Sequence, residues 1–272
     1  MCAYASVDHH RPRDREQRDG RQPGVGGPRH LSAAAIGTAG RGLVPRAARR
    51  VVSWRRRGWQ YPVVTWSLVV PVKRLAVAKS RLGGGFQPGL ALAFAQDTVT
   101  AALATPSVGR VIVMTDDSDV RTAVIALGGL ARPDVARGGL NEAVRRGAAY
   151  AVGIAGPHPV AALPSDLPAL TAAQLQAALV AAALHPRAFV PDALGTGTTL
   201  LSGRDGSLDP RYGPGSAEEH ARAGATRLDG EWPGLRRDVD TLEDLLAAHV
   251  LGLGGATERM LATSSLLCGT TP

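Results

Sequence analysis

From Thr65 onward, short apolar runs alternate with longer stretches of helical period. Residues 67–72 (SLVVPV) predict a buried strand, followed by a loop over 73–89 and a helix over 90–104. Residues 110–115 (RVIVMT) predict a second strand ending in the turn Asp116-Asp117, with a short helix over 119–127. A weaker third strand falls near 131–135 and a helix over 140–153. Residues 159–163 (PVAAL) predict a strand that stops at Pro164-Ser165-Asp166, and Thr171 caps a helix over 172–184. Strands at 188–190 and 198–201 flank a Gly-Thr turn, and helices follow at 216–223 and 241–250. This alternation predicts an α/β domain, a mostly parallel sheet with helices on both faces. In such sheets ligands bind beyond the carboxyl ends of the strands, so the loops after Val72, Thr115 and Leu163 and around Thr196 are expected to share one crevice.

Composition narrows this picture. Residues 1–60 carry thirteen Arg against four acids, a charge of +9 in a chain of net +8, so the rest sums to −1. A nucleic-acid-binding surface would put its basic stripe on the folded domain, and no nucleic-acid partner is expected. Residues 1–64, rich in Arg, Gly and Pro without apolar period, read as a disordered basic extension or as a start codon placed too far upstream. Residues 65–260 form the expected domain and 261–272 a disordered tail. Cys2 and Cys268, at opposite ends, build neither a disulfide framework nor a thiolate metal site. With no apolar run long enough to span a bilayer, a cytoplasmic protein is expected, without membrane contact.

Five strings could carry chemistry. PVKRLAVAKSRL places Lys73, Arg74, Lys79 and Arg81 just past the first strand, where cations suit a polyphosphate or form a solvated loop. It contains neither a GxGxxG nor a Walker fingerprint. Asp166 in LPSDLP stands at a strand end, placed to hold Mg²⁺ or to shape a turn. In RRDVDT, strand alternation would put Asp238 and Asp240 on one face, where like charges call for a metal, for Arg236 and Arg237, or for a capping role of Asp240. The Gly195–Thr198 turn offers backbone N–H groups as an anion nest. RYGPGS leads into a helix that Ser216 would cap, and helix N-termini attract phosphate. His158, His185, His220 and His249 show no ligand spacing and read as surface or loop residues.

In the order PVKRLAVAKSRL, LPSDLPAL, DALGTGTTLL, RYGPGSAEEH and GEWPGLRRDVDT, these strings resemble the 2-phospho-L-lactate or phosphoenolpyruvate guanylyltransferase family of coenzyme F-420 biosynthesis. The resemblance covers about residues 66–260. It implies a Rossmann-like, GT-A-like nucleotidyltransferase fold, GTP as substrate, and Mg²⁺ held at Asp166 and Asp238, with Asp240 as a further metal candidate. It implies that Thr198, Gly213 and Ser216 hold the acid's phosphate, that Lys73, Lys79 and Arg81 lie near the triphosphate as catalytic and nucleotide-binding cations, and that Asn141 faces the nucleotide. It also implies a downstream transferase as partner, and a homodimer is compatible with it. Ser165 departs from the Gly of many relatives. A molybdenum-cofactor-type or sugar nucleotidyltransferase, and a non-catalytic nucleotide-binding module, are the competing readings.

Overall fold

The computed structural model describes residues 65–73, 88–134 and 138–263. Of the two units into which the chain divides, Met1–Gly58 and Trp59–Pro272, all of these lie in the second. The expected disordered extension over 1–64, most of the basic loop and the last nine residues of the tail lie outside the described residues.

Within these residues seven strands form one sheet: β1 (Trp66–Pro71), β2 (Val108–Met114), β3 (Leu130–Arg132), β4 (Val160–Ala162), β5 (Arg187–Pro191), β6 (Thr198–Gly203) and β7 (Thr226–Arg227). Among the described residues eight helices connect or flank them: α1 (Pro88–Leu103), α2 (Ser118–Leu127), α3 (Gly139–Ala155), α4 (Ala172–Ala182), α5 (Ser216–Arg222), α6 (Pro233–Arg236), α7 (Leu242–Leu251) and α8 (Gly255–Thr263). Strand order is β3-β2-β1-β4-β6-β5-β7. Every pairing is parallel except those of β6, which runs antiparallel to both β4 and β5. The α/β expectation is met. The apolar pattern gave no sign of the reversed β6, since a fully buried strand reads the same in either direction.

Alternation along the central strands sorts side chains into two cores. Leu68, Val70, Val111 and Val113 face one way, against Ala95 and Val99 of α1 and Leu175 and Leu179 of α4. Val69, Ile112 and Met114 face the other way, against Ala143, Val144 and Ala148 of α3. Helix α3 lies close enough that a Cβ on Gly147 would sit 2.4 Å from Val69 Cγ1, so only glycine fits there. A third apolar cluster joins Leu90 and Phe94 of α1 to Leu245 of α7 and Leu261 of α8. Helix α8 starts on a borrowed cap: the Asp97 carboxylate of α1 accepts the N–H groups of Ala256 and Thr257 at 2.9 and 2.8 Å. The helix therefore runs past the expected domain end at 260, to Thr263.

The chain leaves β1 toward β2 on one side and returns through α3 to β4 on the other, so the topological switch falls between β1 and β4. These two are parallel, with Val69 opposite Ala162, and their carboxyl ends open at the same sheet edge. Antiparallel β6 starts at that edge. The β5–β6 turn therefore joins the loops after β1 and β4 there, the crevice such sheets reserve for ligands.

Candidate active site

The acidic part of the site is built around the turn after β4. Thr98, buried on α1, donates its hydroxyl to the Ser165 carbonyl at 3.3 Å and accepts the Leu167 N–H at 3.1 Å, fixing the backbone on both sides of Asp166. The Asp166 carbonyl accepts the Val239 N–H at 3.0 Å. Val239 is fully buried in the third apolar cluster, so the segment holding Asp238 and Asp240 is anchored against the Asp166 turn. That segment is irregular backbone between α6 and α7, not the expected strand, because Pro233 starts a short helix immediately before it. Nor does Asp240 cap α7. Thr241 does so, in a capping box with Asp244.

The electrostatics of Asp238 report its neighbours. Its carboxyl is pushed up to about 7, first by burial, then by the negative charges of Asp166, Asp240 and Asp192. The two arginines beside it point elsewhere. Arg236 donates to the Asp192 carbonyl at 3.2 and 3.4 Å, and Arg237 to Asp244 at 3.4 Å. Asp166, Asp240 and Asp192 thus bring negative charge within reach of the partly buried Asp238, with oxygen donors only. Among the described residues no group of three or more acids, histidines or cysteines is placed to hold a metal ion. The donor set fits a Mg²⁺ that takes one or two carboxylates and completes its shell with water and phosphate oxygens. Lys73, exposed, follows β1 at the same edge, whereas Lys79 and Arg81 lie outside the described residues.

Asp192 was not anticipated, and it changes the reading of the Gly-Thr turn. Its carboxylate accepts the N–H groups of Thr196 and Gly197 at 2.9 and 2.8 Å. The expected anion nest exists, but the chain's own carboxylate fills it. An Asp ahead of a Gly-Thr-Gly turn is the available signal for such an arrangement.

The second part of the site joins this turn to the loop before α5. The structure brings Thr198, Gly213 and Ser216 together: Ser216 Oγ donates to Thr198 Oγ1 at 3.2 Å, and the Ser216 N–H donates to the Gly213 carbonyl at 3.1 Å. Ser216 does not cap α5. Gly215, left-handed at φ 70°, holds that position, and Ser216 turns inward to Thr198 instead. The first-turn N–H groups of α5 are also engaged, with Ala217 donating to the Thr196 carbonyl at 3.0 Å and Glu218 and Glu219 to that of Gly215. What this place offers, beside the Gly213 backbone, is therefore side-chain hydroxyls. Behind them lies His220, which is 1% exposed and so buried, contrary to its surface expectation. Its ring contacts Thr198 Oγ1 at 2.9 Å. Nothing in the polar string AEEHAR signals that burial.

Asn141 at the start of α3 accepts the Tyr212 N–H at 2.7 Å and donates to the Tyr212 carbonyl at 3.0 Å. Its amide thereby clamps the loop that carries Gly213. A cavity of about 440 Å³ lies beside that clamp, lined by Asn141, Arg145, Arg211, Tyr212 and Gly213 among others.

No protein-family model matches the chain. It is 52% identical over 212 residues to the phosphoenolpyruvate guanylyltransferase of Salinispora arenicola, covering 75% of this chain and 94% of that one. It is likewise 52% identical over 202 residues to the protein of that name in Streptomyces scabiei, covering 71% and 94%. Among solved structures, a protein assigned as a nucleotide-diphospho-sugar transferase from Desulfovibrio desulfuricans G20 superposes with a TM-score of 0.53 at 20% identity, over 67% of this chain and 85% of that one. That likeness concerns the fold alone.

Proposed function

Because the chain belongs to the phosphoenolpyruvate guanylyltransferase family and is thus a nucleotidyltransferase, we propose that it transfers GMP from GTP to the phosphate of phosphoenolpyruvate, with 2-phospho-L-lactate as the alternative acid. One observation supports this reading more than any other: the Val239–Asp166 hydrogen bond draws two acidic strings, far apart in sequence, to one edge of the sheet.

In the reaction, a phosphate oxygen of the acid bonds to the α-phosphorus of GTP. The bond from that phosphorus to the β-phosphate oxygen breaks, and pyrophosphate leaves with the electron pair. The attacking oxygen is already anionic near neutral pH, so no general base is required. The difficulty is the approach of two polyanions, whose repulsion grows several-fold outside bulk water. Asp166 and Asp238, with Asp240 as a further candidate, would hold Mg²⁺, which when bound supplies positive charge against the phosphate oxygens and the leaving group. Lys73, with Lys79 and Arg81 from the same loop, would face the triphosphate. Thr198, Gly213 and Ser216 would hold the acid's phosphate. Asn141 would face the nucleotide while its amide holds the loop that carries Gly213. Catalysis of this kind is positioning combined with electrostatics.

We place the reaction in coenzyme F-420 biosynthesis, in the cytoplasm, and expect a downstream transferase to take up the diphosphate-linked product. The test is pyrophosphate release from GTP, ATP and CTP in turn, with phosphoenolpyruvate, 2-phospho-L-lactate and 3-phosphoglycerate, coupled to that transferase. Selective release with GTP and phosphoenolpyruvate supports the reading. Binding of Mg²⁺–GTP without release over all three acids rejects it.

A further inference from the structure

Both ring nitrogens of His220 are engaged inside the protein. The Arg211 backbone N–H meets Nε2 at 2.9 Å. A peptide N–H can only donate, so Nε2 accepts and carries no proton. The proton of the neutral ring therefore sits on Nδ1, which faces Thr198 Oγ1 at 2.9 Å and also the backbone carbonyl of Ser216. Phe189 and Tyr212 pack around the ring, Tyr212 edge-on at 5.2 Å between centroids, and restrict its rotation. Burial holds the ring well below its ordinary value, at about 4, so it remains neutral near pH 7.

Thr198 Oγ1 thus faces two donors, Ser216 Oγ–H and the His220 Nδ1–H that it shares with the Ser216 carbonyl. A hydroxyl has two acceptor lone pairs and one proton. With both lone pairs taken, only the proton of Thr198 is left to meet a ligand. We propose that His220 is a positioning residue that makes Thr198 an obligate donor, so that this hydroxyl meets a group that accepts hydrogen bonds, a deprotonated phosphate. This rests on the reading that Thr198 and Ser216 contact the acid. The surrounding chemistry agrees with it: the neighbouring N–H groups of Thr196, Gly197 and Ala217 are already paired, which leaves recognition to the hydroxyls and the Gly213 backbone.

The test compares His220→Phe, which keeps a ring but no donor, with His220→Asn, whose amide nitrogen can replace Nδ1–H. The expected result is a KM for phosphoenolpyruvate raised roughly tenfold or more in His220→Phe, the loss of an oriented hydrogen bond to a charged group. The KM for GTP should stay within about twofold, and His220→Asn should recover most of the loss. Equal rises in both KM values, or no recovery, would overturn the proposal. Thr198→Val separates the two ideas. If it leaves the acid's KM unchanged, the assignment of the phosphate contact fails. If it raises that KM while His220→Phe does not, only the role of His220 fails. Should His220→Phe not fold, imidazole ¹⁵N NMR of the unaltered protein still decides: a neutral Nδ1–H ring at pH 7 supports the proposal, and an Nε2–H or cationic ring overturns it.

Discussion

Val239 donates its N–H to the carbonyl oxygen of Asp166 at 3.0 Å, and this one bond aligns the acidic turn after β4 with the acidic segment before α7. Because Val239 is also fully buried, the alignment is maintained by packing as well as by the hydrogen bond. Replacing the carboxylates themselves leaves this scaffold intact. Asp166→Asn and Asp238→Asn should each lower kcat by about 100-fold or more, as expected when charge aimed at a reacting phosphate is removed. Their Tm should hold or rise, since each substitution relieves repulsion within the cluster that pushes Asp238 up. Near-normal turnover in either variant would reject the metal assignment.

Thr98 acts one step further back. Thr98→Val keeps the shape but removes the donor to Ser165 and the acceptor for Leu167. The Leu167 N–H is then buried without its partner, at a cost of about 1–3 kcal/mol. Urea denaturation should register that loss, and kcat should fall as well because Asp166 sits on the loosened turn. A variant as stable and as active as the parent would remove Thr98 from the account.

The Gly-Thr turn makes a steric prediction. A Cβ on Gly197 would lie 2.4 Å from Asp192 Oδ2, so Gly197→Ala must displace the carboxylate that holds the turn. Both substrate KM values should rise together in steady-state kinetics, since the turn borders Thr198 on one side and the acidic cluster on the other. A change in neither would mean that the turn tolerates the displacement.

His220 gives a pH dependence whose sign is fixed by burial. Its value of about 4 in the folded protein lies below the ordinary 6.5, chiefly because burial disfavours the cation. Asp209 and a backbone hydrogen bond to Ser216 act upward, while Arg211 and Arg187 act downward. Between the two values the folded protein binds fewer protons than the unfolded chain, so this contribution is complete above pH 6.5 and is lost as pH falls toward 4. The loss should be on the order of 2–3 kcal/mol. Chemical denaturation at a series of pH values should show it in the parent and not in His220→Phe.

Elements whose apolar pattern is strong were legible in the sequence: β1, β2, α1, α3 and α4 all lie within about two residues of their expected bounds. Asp166, Asp238, Thr198 and Ser216 could be singled out because each lies in a string whose residue types already suggest ions or phosphate. The elements not foreseen, α6, β7 and α8, are short or polar and owe their form to tertiary contacts. For α6 these are the Gly234 and Leu235 N–H groups bonded to Gln174 of α4, and for α8 the Asp97 cap. Asp192 and His220 illustrate a different gap. Each acts on a partner by approaching it in space, and the residue types around them do not announce that approach.

The Asp97 cap also orders events in time. Leu90, Phe94 and Leu261 share an apolar cluster, and the acceptor on α1 meets its donors only at Ala256 and Thr257. During synthesis, α1 therefore waits, with its Asp97 carboxylate and part of its apolar flank uncovered, until residues 256–261 have left the ribosome. Nascent chains stalled before residue 255 should bind chaperones and resist proteases poorly, however complete their sheet.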